Sequence, residues 1–171
     1  FKQKTAYEIK ECDWSSDVCS SDLTDTVSFA NTSNGSGNTT RSVSLTVNGS
    51  GTLAVLPATG LSSSGVVGGP FTPSSVVYTL TNTGTASLNW TAAATKSWVS
   101  LSAASGTLAV GGTTTVTVSI NSGANALVAG SYTDTVSFAN TSNGGGNTTR
   151  SVSLTVNGSG TLAVLPAAGL S

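Results

Sequence analysis

The chain has 171 residues with six Lys and Arg, seven Asp and Glu, no His and no Met, so only 8% is charged and the formal net charge is −1. Charge this sparse excludes the clustered Lys and Arg of a phosphate-binding surface, and with it a nucleic-acid partner. No apolar run approaches the roughly 18 residues of a membrane-spanning helix, and abundant Ser, Thr, Gly and Val point to an all-β chain and not to a charged disordered one.

Phe1–Leu23 differs in composition from the rest. It holds eight of the thirteen charges and both cysteines, Cys12 and Cys19. Lys2–Ile9 (KQKTAYEI) and Asp13–Leu23 (DWSSDVCSSDL) resemble, in a single reading frame, the translation of a short-read sequencing adapter, with room between them for its index. The resemblance implies an adapter-derived, disordered segment over 1–23. A signal peptide would need an apolar core of roughly 7–15 residues, which this stretch lacks. Residues 24–171 then contain no Cys and five charges: Asp25, Arg41, Lys96, Asp134 and Arg150.

A long-period repeat organises the remainder. Thr24–Ser62 recurs as Thr133–Ser171, offset by 109 residues, and only Ser36/Gly145 and Thr59/Ala168 differ across 39 positions. Solenoid repeats run about 20–50 residues, so this period fits tandem sandwich domains instead. The expected organisation is a C-terminal hairpin of a preceding repeat (24–50), one complete domain (52–158), and the first strand of a following repeat (159–171).

Within the complete domain, period-2 alternation predicts the strands in order. Thr52–Leu56 stops at Pro57, and a Gly/Ser-rich connection follows, ending at Pro70 and Pro73. Ser75–Asn82 turns Tyr78 and Leu80 inward, with Val76, and Ser87–Ala93 does the same for Leu88 and Trp90. Trp98–Leu101 and Thr107–Val110 are short. Thr113–Ile120 aims Val116, Val118 and Ile120 at the core. Tyr132–Phe138 and Thr149–Val156 close the domain as a hairpin with Val136, Phe138, Val152, Leu154 and Val156 inward. The loop between them, NTSNGGGNTT, supplies residues that tolerate positive φ. Seven or eight short strands in this length predict an immunoglobulin-like β-sandwich.

The stretches YTLTNTGTASLNW (78–90), SWVSLSAASGTLAVGGTTTVTVSI (97–120) and GSYTDTVSFANTSNGGGNTTRSVSLTV (130–156) resemble BACON-type immunoglobulin-like domains. The most specific parts are the N-x-G turn, the Trp followed by SGTL, and the G-x-Y-x-x-x-V strand. The resemblance implies a repeat of large secreted bacterial or phage-associated proteins, extracellular or at the cell surface. Such domains are often appended to hydrolases, and carbohydrate or mucin binding has been proposed for them. No catalytic residues carry over.

The residues agree that chemistry is scarce. The complete domain has one carboxylate, Asp134, and neither His nor Cys. That excludes within it a paired-carboxylate glycosidase, a Ser–His–Asp triad and a zinc site, and no cofactor is expected. Asp134 shares parity with Val136, and a wet sandwich end would spare it burial. A hairpin symmetric about residue 144 would put Arg150 opposite Phe138 and away from Asp134. Tyr132, opening its strand after Gly130, suits a tyrosine corner. Trp90 has core parity, whereas Trp98 borders a polar loop and is the candidate glycan platform, because sugar-binding modules stack pyranose faces on open aromatic rings. The expected function is a non-catalytic extracellular repeat that spaces or displays another domain, its partners being neighbouring repeats. The alternatives are a carbohydrate- or mucin-binding module and an accessory region of a secreted hydrolase.

Overall fold

The computed structural model describes residues 21–160 and Leu162. The segment before residue 21, and all but three residues of the strand expected at 159–171, lie outside this range. The chain divides into two compact units, Phe1–Ser50 and Gly51–Ser171.

The first unit is a hairpin of β1 (Ser21–Phe29) and β2 (Thr39–Val47), which pair only with each other among the described residues. β1 begins at Ser21, so its strand takes in Leu23 and starts inside the stretch expected to be disordered. Odd-numbered positions put Leu23, Val27, Phe29, Val43, Leu45 and Val47 on one face, whereas the other carries Ser and Thr. All six apolar side chains are exposed.

The second unit is an immunoglobulin-like sandwich. Its four-stranded sheet runs β3 (Leu53–Leu56), β6 (Ser75–Asn82), β10 (Thr113–Ile120), β8 (Val99–Leu101). Its six-stranded sheet runs β5 (Phe71–Thr72), β4 (Leu61–Val66), β12 (Thr148–Asn157), β11 (Gly130–Asn140), β7 (Leu88–Ala93), β9 (Ser105–Leu108). Every pairing is antiparallel except β4 with β12. The chain thus starts in one sheet as β3, crosses at Pro57–Gly60, and continues in the other as β4. The crossing is pinned from the core: the Tyr78 hydroxyl donates to Thr59 O at 2.9 Å.

Alternating β-branched and aromatic residues fit the pleated inner faces. Tyr78, Leu80, Leu88, Trp90, Val116, Val118, Val136, Phe138, Val152, Leu154 and Val156 are buried in one cluster, and Tyr78 meets Phe138 edge-on with centroids 5.4 Å apart. Ile120 is only half-buried, because it ends β10, paired with Val99 at the sheet's edge. Two expectations need correction. The Gly/Ser-rich connection contains β4 and β5, and β4 escapes the alternation rule because its inward positions are Leu61 and Ser63, the second polar. The strand expected at Thr107–Val110 is Ser105–Leu108, drawn back by pairing with β7, where Gly106 faces Trp90.

Candidate functional site

Trp98 is the residue singled out for sugar stacking, and the structure corrects that expectation. Its side chain is 6% exposed and belongs to the core cluster. A short 3-10 helix, Ser122–Ala126, is fastened to the backbone beside it. The helix's N-cap Asn121 donates from Nδ2 to Ser97 O at 2.9 Å, its N–H donates to Trp98 O at 3.0 Å, and Ala124 is fully buried. A stacking platform must offer an open ring face, and this ring has none. Phe71, Tyr78, Trp90 and Phe138 are also buried. Tyr132 is half-buried, and its hydroxyl donates to Val128 O at 2.9 Å, four residues upstream, as a tyrosine corner does.

Asp134 is buried, not wet. The loop after β7 closes over the sandwich end and turns its donors inward. The Thr95 hydroxyl donates to Oδ1 at 2.5 Å, the Thr95 and Lys96 N–H groups donate at 3.2 and 3.1 Å, and Thr135 N–H donates at 2.7 Å. Burial pushes the carboxyl's pKa up, but these hydrogen bonds to the charged form outweigh it and hold the group below its ordinary value. The carboxylate is a clamp for loop 95–96.

Arg150 is likewise buried. The hairpin's register centres on residue 143, so Arg150 lies opposite Val136 and Asp134 opposite Val152, a correction of one residue to the expected centre. No hydrogen bond joins the two charges. Arg150 instead donates to carbonyls: Nε to Pro57 O at 2.8 Å, Nη2 to Val55 O, and Nη1 to Thr149 O at 2.8 Å. Its guanidinium also lies 5.8 Å from the Tyr78 ring centroid. Tyr78 has its pKa raised by burial, with Arg150 pulling the other way. Arg150 and Tyr78 therefore hold the two ends of the sheet-crossing segment.

The asparagines carry roles that strand periodicity did not reveal. Asn82, fully buried, caps the turn that carries the N-x-G sequence. Its Nδ2 donates to Ala86, Leu108 and Ala109 carbonyls, and its Oδ1 accepts from Thr52 and Gly84 N–H. Asn140 organises the β11–β12 loop, donating to Asn143 Oδ1, Gly145 O and Gly51 O, with its own N–H bonded to Asn147 Oδ1 at 2.6 Å. Gly146 has φ +83, and a Cβ there would fall 1.9 Å from Leu53 O, so only Gly fits. The signal for Asn140 lay in the repeat, because its loop recurs with a single change.

Each of these polar groups is consumed internally. Among the described residues no group of three or more His, Cys, Asp or Glu could hold a metal ion, and no helix is long and apolar enough to cross a membrane. What the arrangement does is fasten loops and the sheet crossing to a closed core.

A family model described as the viral BACON domain matches residues 72–157, half of the chain. No curated protein sequence matches. Among solved structures, the ASH/PapD-like domain 7 of human CEP192 aligns at 15% identity and TM-score 0.45, over 63% of this chain and 87% of that one. A Porphyromonas gingivalis W83 protein of unknown function aligns at 11% identity and TM-score 0.46, over 80% and 66%. A Bacteroides ovatus GH5 xyloglucanase, solved with a XXXG heptasaccharide, aligns at 19% identity and TM-score 0.41, over 61% of this chain but 19% of the enzyme.

Proposed function

The chain belongs to the viral BACON domain family, and we propose that its sandwich is an extracellular spacer or display repeat, partnered by neighbouring repeats of the same polypeptide. The family match supports the coarse character of a non-catalytic β-domain. The observation that carries the finer reading is the fate of its aromatic rings. All six in 51–158 are either in the core or, for Tyr132, tied down as a corner. A surface without an open ring lacks the apolar element of a sugar site. The outward positions of β11 and β12 carry mainly Ser and Thr, including Thr133, Thr135, Ser137, Ser151, Ser153 and Thr155. The recurrence of Thr24–Ser62 at 109 residues supports a serial arrangement.

A glycan array probed with the full chain tests this reading. The expected result is no saturable binding to any glycan, mucin-type structures included. Saturable binding that neither Trp98→Phe nor Phe29→Ala changes would replace the spacer with a carbohydrate-binding module whose site is polar and away from these rings.

A further inference from the structure

The hairpin β1–β2 has an apolar face exposed among the described residues, and the same chain shows what covers such a face. From Leu23 to Val47, β1–β2 repeats the register of β11–β12 offset by 109 residues: Val27 pairs with Arg41 as Val136 pairs with Arg150. Its loop carries the same bonds, with Asn31 N–H on Asn38 Oδ1 at 2.7 Å and Asn31 Nδ2 on Asn34 Oδ1 at 2.7 Å. The second hairpin buries its apolar face on the sandwich and hydrogen-bonds β4 on one side and β7 on the other. The first is folded for the same slot.

The matching slot in its own sandwich is out of reach. In that slot, Val47 would take the place of Val156, about 27 Å along β12 from Thr148 at the loop end. Gly51 sits at the loop end, where its carbonyl accepts from Asn140 and Asn143. The four residue steps from Val47 to Gly51 span at most about 14 Å.

We propose that the hairpin 23–47 is a complementation element whose partner is the open sandwich 51–129 of a second copy of this chain. It enters when that copy's own 130–156 leaves, adding strands to the exposed edges of β4 and β7 as other strand-addition complexes do. Tethering makes 130–156 the resident occupant, so exchange follows its loss. Two positions depart from the resident. Leu23 replaces Tyr132 and forgoes its hydroxyl bond to Val128. Ser36 replaces Gly145, where a Cβ lies 3.2 Å from Gly51 O, so the slot must yield by a few tenths of an ångström.

The test expels the resident hairpin from the full chain. Val152→Asp puts a carboxylate at a buried position whose counterpart, Val43, stays intact in the first hairpin. Under reducing conditions, V152D should remain cooperatively folded and show at least twice the monomer mass by light scattering. V43D/V152D should be a monomer without a cooperative melt, and V43D alone a folded monomer. If V152D loses its cooperative melt just as V43D/V152D does, the proposal is overturned. Should V152D keep its own hairpin seated, Val136→Asp is added. V136D/V152D is then compared with V27D/V43D/V136D/V152D, and equal behaviour of that pair overturns it too.

Discussion

Two hairpins of nearly one sequence, 21–47 and 130–156, separate what local sequence determines from what tertiary packing adds. Backbone pairing and loop bonds are the same in both. Arg41 reaches Thr39 Oγ1 and Thr40 O at 2.8 Å, as Arg150 reaches Thr148 Oγ1 and Thr149 O, and Asp25 and Asp134 each accept from the next residue's N–H at 2.7 Å. The difference is everything else. Phe29 is 56% exposed and Phe138 1%; Val43 is 50% exposed and Val152 1%. Arg150 gains the Pro57 and Val55 carbonyls, Asp134 gains Thr95 and Lys96, and a Cβ added at Gly146 would run into Leu53 where one added at Gly37 would meet nothing within 4 Å. An isolated two-stranded hairpin is at best marginally stable in water, so stability in this chain belongs to the sandwich and not to the strand sequences.

Matched substitutions sharpen that contrast. The largest effect is expected for Phe138→Ala, which should cost about 3–5 kcal/mol in denaturant unfolding of the sandwich. Phe29→Ala should stay within about 0.5 kcal/mol. Next, Asn140→Ala should cost about 1–3 kcal/mol because it removes the side-chain bonds to Gly51 O, Gly145 O and Asn143 Oδ1, leaving Gly51 O to Asn143 alone and Gly145 O to the Leu53 N–H. Asn31→Ala removes the same loop bonds from an exposed hairpin and should leave the sandwich melt unchanged. Gly106→Ala should cost about 1–3 kcal/mol, since its Cβ would lie 2.9 Å from Trp90 Nε1 in a ring that is packed on all sides. A loss below this range would show that β9 can slide on β7.

The smallest effect is a pH dependence. Asp134 titrates lower folded than unfolded, so its contribution is whole above the unfolded value of about 3.9. It is lost as the pH falls through the folded value. Asp134→Asn should flatten the decline in melting temperature below about pH 4. Asp25→Asn serves as the matched control outside the sandwich.

Much of this fold was legible in the sequence because apolar alternation reports directly on which side of a strand faces the core. The inward set from Tyr78 to Val156 needed nothing more. The signal fails where an inward position is polar. Ser63 hides β4, and its hydroxyl is buried without a protein partner. Asp134 had the right parity, but a loop distant in sequence supplies its donors, and no local pattern announces that Thr95 and Lys96 will close over it. Trp98 misled for a related reason: the polar loop before it bonds inward, Ser97 O accepting from Asn121 and Thr95 and Lys96 donating to Asp134, so a polar neighbourhood did not mean an open one. The register slipped by one residue because a ten-residue loop rich in Gly and Asn does not fix its own centre. The candidate site was therefore less legible than the fold, since burial of polar groups is decided by partners far along the chain.

The central claim is that near-identical strands differ in stability only because one pair is covered. Amide hydrogen exchange on the full chain at low concentration measures both hairpins at once. The account predicts that amides of 130–156 exchange only through global unfolding of the sandwich, whereas those of 23–47 exchange at rates set by local opening. Equal protection of the two hairpins in a monomeric chain would contradict it.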